Sequence, residues 1–217
     1  MRIYDLLEGT LEYDQICRLD TVYKQIASEQ DEWKSSCSFT CPDGCGTCCE
    51  HFEPDVTEAE ALYLAAWMLY NQEETAFAIV EGTFVPAREY EDGCILFDAH
   101  SPYHCTVYGG RCLICRIFGF TGDRGKDGNK RWKPCKFHPE PLPKPLERRQ
   151  YTQDELVSLF GALPPAMGDL MSQAEAIMPG AQGSTEPLRI ALKHAIEKLV
   201  MIAGFHNDNN NDNNNAA

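Results

Sequence analysis

The chain has 217 residues, 43% of them hydrophobic and 24% charged, an ordinary globular composition that argues against wholesale disorder. Lys and Arg number 19 against 33 Asp and Glu, a net charge of −14 that disfavours polyanionic partners for the chain as a whole. No run approaches the roughly 18 uncharged apolar residues of a membrane helix, and the opening MRIYDLLEGTLEYDQ meets acid too early for a secretory signal, so a cytoplasmic protein without a membrane span is expected.

In chain order, residues 3–34 place Leu6, Leu7, Leu11, Ile16, Leu19, Val22, Tyr23 and Ile26 at three- and four-residue spacing and read as mostly helical. Gly, Pro and Cys then dominate from Cys37 to Cys49, a loop or knuckle. Thr57 and Glu60 form a capping box that opens a long amphipathic helix ending near Gly82. Residues 93–138 read as short β-like runs (CILFD, CTVY, CRIFGF) between turns, and EPLPKPL at 140–146 as a linker or strap. A second box, Thr152 to Glu155, starts a helix toward Phe160; another is expected from Ala166 to Ile177. The last begins after Pro187 and is stopped by Gly204. The asparagine-rich end from His206 is too polar to bury, so disorder is expected there.

These elements predict an α+β fold, mostly α-helical, with helices wrapped around an irregular cysteine-rich metal-binding centre that carries short strands. The expected divisions are an N-terminal helical segment over 1–36, a cysteine-cluster metal-binding domain over 37–140, C-terminal helices packing on it over 141–204, and the tail over 205–217.

The outlying residue is cysteine, 11 in all, an odd number that a fully paired disulfide framework cannot use. In a reducing compartment clustered thiols more often bind metal or do redox chemistry. Cys45-x-x-Cys48 has the spacing at which one tight turn lets two sulfurs reach one ion, and Gly44 and Gly46 allow the turn's backbone angles. With Cys41 and Cys49 this makes four cysteines within nine residues. A second segment supplies Cys94, Cys105, Cys112, Cys115 and Cys135, and Cys112-x-x-Cys115 repeats the chelating spacing. His51, His104 and His138 lie near cysteines and are alternative ligands, each read first as a surface or supporting residue.

From Arg111 to Arg149 there are 11 bases and four acids, net +7 in an otherwise acidic chain. Arg111, Arg116, Lys133 and Lys136 are thus candidates to offset the charge of clustered thiolates. The stretch RGKDGNKRWKPCKF also permits phosphate contacts and base stacking on Trp132 and Phe137, although the acidic whole argues against nucleic acid. Phosphate loops, dinucleotide fingerprints, nucleophile elbows and H-E-x-x-H are all missing.

The ordered set Cys41, Cys45-Gly46-Thr47-Cys48-Cys49, Gly93-Cys94-Ile95-Leu96-Phe97, Cys105-Thr106-Val107-Tyr108 and Arg111-Cys112-Leu113-Ile114-Cys115-Arg116-Ile117-Phe118 resembles the YkgJ-type cysteine-cluster proteins, a zinc- or iron-chelating family. Three residues rather than two separate Cys41 from Cys45, and Cys112 stands at the family's proline position. The resemblance implies binding of Zn2+ or an iron–sulfur cluster. Cys41, Cys45, Cys48, Cys49, Cys94, Cys105, Cys115 and Cys135 are the expected ligands, with Cys17 and Cys37 as bystanders. The bacterial flagellin lysine methylase carries a similar cluster. By that analogy a cluster-dependent protein-modifying or redox enzyme, with a protein substrate or partner, is the alternative; a nucleic-acid-associated zinc module is the third reading.

Overall fold

The computed structural model describes residues 2–37, 45–87, 92–138, 140–177 and 184–215, with side chains as far as His206. Most of the ordered backbone is helical: α1 (Ile3–Leu7), α2 (Leu11–Ser36), α3 (Glu58–Asn71), α4 (Glu73–Glu81), α5 (Leu113–Ile117), α6 (Gln153–Phe160), α7 (Met167–Glu175) and α8 (Leu188–Asn215). Two small antiparallel pairs complete it: β1 (Asp55–Val56) with β4 (Glu186–Pro187), and β2 (Asp123–Arg124) with β3 (Lys130–Arg131). Among the described residues no helix is long and apolar enough to cross a membrane.

Local chemistry explains most boundaries. Gly9, at φ +85°, breaks the first helical stretch, and Thr10 restarts it by accepting from the Tyr13 amide at 3.1 Å. Thr57 and Glu60 close the capping box of α3, and Gly82 ends α4 in the left-handed conformation. The expected single helix from Thr57 to Gly82 divides at Gln72, whose φ of −145° leaves the helical region while its side chain donates to the Thr106 carbonyl at 2.6 Å. α8 runs on past Gly204, because that glycine does not take the positive φ that would make it a cap.

The middle of the protein is an apolar helix contact. α3 is buried on nearly every side, through Leu62, Leu64, Ala65, Met68 and Leu69, and packs along Leu192, Ile196 and Leu199 of α8, with α1 and α4 closing the cluster. Such a helix belongs inside a core. A second cluster joins α2, α5 and α7 through Leu19, Tyr23, Ile26, Leu113, Ile117 and Leu170. A third gathers Trp33, Trp132, Tyr151 and Leu156 under Leu142 and Leu146, so the proline-rich segment acts as a packed strap. The cysteine segments lie against the flank of the first cluster.

One expected strand opens in a helix. The first three residues of CRIFGF, from Cys115 to Ile117, are the end of α5, which buries Leu113 and Ile117 four residues apart on one face, a helical spacing. The runs at Cys94 and Cys105 meet only as an isolated antiparallel bridge between Phe97 and Cys105.

Candidate metal centre

Three loops and a short helix bring the cysteine segments together. In the first loop the Cys49 amide donates to the Gly46 carbonyl at 2.8 Å, closing the turn that carries Cys45, Cys48 and Cys49. Gly46 sits directly under His104, whose ring occupies the space a Cβ would need. The second loop folds back on itself: Thr106 donates to the Leu96 carbonyl through its amide (3.1 Å) and its hydroxyl (3.2 Å), setting Cys94 and Cys105 side by side. Gly93 joins the two loops. At φ +94° it lies 2.6 Å, at the place of its missing Cβ, from the Glu50 carbonyl oxygen, an approach open only to glycine.

The third loop leads into α5 and Cys115. Glu60, buried in the first turn of α3, accepts from the Leu113 amide at 2.8 Å and so holds the start of α5. Gln30 of α2 donates to the Arg116 carbonyl at 3.0 Å from the other side. Arg111 donates to the Tyr108 and Cys115 carbonyls at 2.9 and 3.3 Å. Arg116 spends its N–H groups on the Arg111 and Gly109 carbonyls while lying 4.2 Å from the Tyr23 ring centre.

Six of the expected ligands line one cavity of about 400 Å³: Cys45, Cys48, Cys49, Cys94, Cys105 and Cys115. The Cys48 and Cys49 sulfurs are 3.7 Å apart. His104 is the one candidate histidine in the wall. Cys135 is not there; it packs beside Cys37 against the Trp33–Trp132 cluster. Cys41 lies outside the described residues. Cys112, despite its spacing from Cys115, is 2% exposed within the apolar core and does not line the cavity. Cys17 is exposed on α2. His51 is exposed and contacts Asp92 at 3.0 Å, and neither it nor His138 reaches the cavity.

Among the described residues no three Cys, His, Asp or Glu side chains are grouped closely enough to hold a metal ion; the six thiols are spread over the cavity wall. Burial favours the neutral form of Cys105 and Cys115. It pushes the Cys115 thiol up to about 12, with Cys94 and Cys105 adding to the rise and Arg111 opposing it. Cys105 is raised by the same cause, and Cys48 chiefly by its contact with the Cys49 sulfur. A soft cation that ionises thiols is the partner such a wall accepts: zinc and iron take thiolate sulfur, calcium and magnesium do not. The donor set therefore fits zinc or iron–sulfur chemistry.

The bases fall out differently from expectation. Arg111 and Arg116 line the cavity, whereas Lys133 and Lys136 do not. Arg124 is committed to Asp169 at 2.7 Å and Arg131 to Asp127 at 3.2 Å. Trp132 is 2% exposed, so it is closed to base stacking, whereas Phe137, the other ring of that stretch, is half-buried with Lys136 Nζ 4.6 Å from its centre. Sequence reasoning passed over Glu60, Gln30 and the aromatic lining of Phe52, Tyr103 and Phe118. Only Glu60 had a local signal, its capping box.

Comparison with curated proteins and with solved structures finds no match. Residues 40–138, a stretch that contains all six cavity cysteines, match the family model of the CxxCxxCC domain, described as a "putative zinc- or iron-chelating domain". Over residues 40–138, just under half of its length, the chain is similar to the CxxCxxCC zinc- or iron-chelating domains.

Proposed function

We propose that this protein holds zinc or an iron–sulfur cluster through thiolates drawn from Cys45, Cys48, Cys49, Cys94, Cys105 and Cys115. The observation that carries the reading is the meeting of two cysteine segments, separated by α3 and α4, at one cavity. Arg111 supports it: its guanidinium favours the ionised state of Cys48, Cys105 and Cys115 as the metal displaces their protons. Six thiols on one cavity wall are enough for either chemistry, since four suffice for tetrahedral zinc or for an iron–sulfur cluster.

The test is anaerobic purification with metal analysis and a visible absorption spectrum. Stoichiometric zinc in a colourless protein selects zinc; iron, sulfide and broad visible absorption select the cluster. Cys48→Ser and Cys115→Ser are expected to lower metal content, while Cys17→Ser and Cys135→Ser keep it. Full metal in Cys115→Ser would show that the two segments do not share a site.

A further inference from the structure

The cavity is much larger than an ion requires. A water molecule occupies about 30 Å³, and pockets for small organic ligands begin at about 300 Å³. At about 400 Å³ this cavity belongs with the second class. Away from the sulfurs its lining is aromatic. Phe52, Tyr103, Tyr108 and Phe118 all border it and remain 38–43% exposed, an unusual concentration of uncovered rings. Tyr103 and Tyr108 stack with centroids 4.1 Å apart at 21°, and the Arg111 guanidinium lies 3.4 Å from the Tyr108 ring centre. Two rings and a planar cation thus form a layered platform of the kind on which flat molecules stack.

Charge decides the sign of the ligand. The described lining contains Lys34, Arg111 and Arg116 and no Asp or Glu, in a chain with 33 acids and 19 bases. A four-thiolate zinc site is formally about −2, so three bases leave the loaded cavity positive by about one. Arg116 is occupied by backbone carbonyls and Lys34 by Asp31 at 3.2 Å. Arg111 uses Nε and Nη1 on carbonyls, and among the described residues nothing takes its Nη2. A cationic ligand would meet three like charges and a Tyr108 ring already covered by Arg111. A long polyanion would meet the acidic surface beyond the cavity.

We propose that this cavity binds a small organic anion with a flat, unsaturated body, of the aromatic carboxylate class, on Arg111 and the Tyr103–Tyr108 stack beside the thiol wall. The inference rests on the metal reading, since the metal occupies the thiol wall and leaves the aromatic part for the ligand.

The test uses the full-length, metal-loaded protein titrated with 2-naphthoate and, separately, with neutral 2-naphthamide, by calorimetry and ligand-observed NMR, with metal measured on the same samples. The expected result is saturable naphthoate binding at least tenfold tighter than that of the amide. Tyr103→Ala is expected to weaken naphthoate at least tenfold with metal content unchanged. Equal affinity for acid and amide, no saturable binding, or undiminished binding by a folded Tyr103→Ala overturns the inference. The comparison of the two ligands on the unaltered protein decides the matter even where the variant does not fold. Retained metal without naphthoate binding overturns this inference alone, whereas failure to take up any metal overturns it together with the chelation reading.

Discussion

Arg189, in the first turn of α8, holds Glu53 through its amide at 2.9 Å and through Nε at 2.7 and 3.0 Å to the two carboxylate oxygens. Its Nη2 also donates to the Gly93 carbonyl at 3.3 Å. Glu53 follows the first cysteine loop and Gly93 opens the second, so one arginine ties both to the helix that packs along α3. The Glu53 side chain is only 15% exposed, which limits screening of the pair.

Arg189→Ala is therefore expected to cost about 1–2 kcal/mol, more than an exposed pair contributes. For a chain of this size that lowers the thermal midpoint by about 2–8 °C, and metal content should fall with it. Lys193→Ala, which removes an exposed 4.0 Å pair with Glu197 on the same helix, should leave the midpoint within about 1 °C. Equal midpoints for the two variants, measured by calorimetry, would remove Arg189 from this role.

The glycines of the site admit a sharper comparison. Gly93→Ala forces a Cβ toward the Glu50 carbonyl at a φ of +94°, and Gly46→Ala forces one into the His104 side chain. Each is expected to destabilise by about 1–3 kcal/mol and to lower metal content. Gly168→Ala, in α7 with open space around it, should instead stabilise by about 0.5–1 kcal/mol. Denaturant midpoints and metal per chain check all three, and a neutral Gly93→Ala would contradict the close approach of the two loops.

What was legible in the sequence is what local chemistry writes there. Thr57 with Glu60 and Thr152 with Glu155 mark helix starts because the cap and its partner are three residues apart. The paired thiols were legible because chelating spacing is also local, and the cavity gathers six of them. The rest depends on distant partners. CRIFGF looks strand-like by composition, yet it opens in α5, whose first amide, at Leu113, is held by Glu60 53 positions earlier. Cys112 and Cys115 share a spacing, yet only Cys115 lines the cavity, and Cys135 packs with Trp33 and Trp132, the first of them about a hundred positions away. The aromatic lining of the cavity had no periodic signature, since Phe52, Tyr103 and Phe118 come from three separate loops.

Three helices meet at a charge triad away from the site. Lys198 of α8 lies 2.9 Å from Glu12 of α2 and 2.9 Å from Glu58 of α3. Burial alone would raise Glu12, but the Lys198 hydrogen bond, its own backbone amide and the lysine charge together hold it below the ordinary 4.5. Lys198, which burial would lower, is raised above 10.5 by the two carboxylates. A depressed carboxylate stabilises above its unfolded pKa and loses this as pH falls through the folded value; a raised lysine stabilises below its unfolded pKa and loses this as pH rises through the folded one. Lys198→Met should therefore cost about 0.5–1 kcal/mol, or about 1–4 °C, at pH 7. The gap from the unaltered protein should close as pH falls below about 4.5, through the lowered range in which folded Glu12 takes up its proton. Thermal scans from pH 3 to pH 8 check this, and a gap that persists at pH 3 would assign the effect to packing of the lysine stem.

Glu60 carries the last prediction, because it serves two helices with one carboxylate. One oxygen accepts from the Thr57 amide at 3.0 Å and hydroxyl at 2.9 Å, closing the cap of α3. The other accepts from the Leu113 amide at 2.8 Å, at the start of the helix that positions Cys115. Glu60→Ala would leave a buried amide at Leu113 without its acceptor and uncap α3. The expected loss is about 2–3 kcal/mol, or about 4–12 °C in thermal midpoint. Glu60→Gln keeps one acceptor oxygen and should fall between, holding either the cap or α5 but not both. Because α5 carries Cys115, metal content should decline in the order unaltered, Gln, Ala. Glu81→Ala, an exposed acid at the end of α4, should stay within about 0.5 kcal/mol. Calorimetry and metal analysis on the three variants make the comparison. A Glu60→Ala protein that keeps full metal while losing its midpoint would show that the cap alone, and not the hold on α5, is what Glu60 contributes.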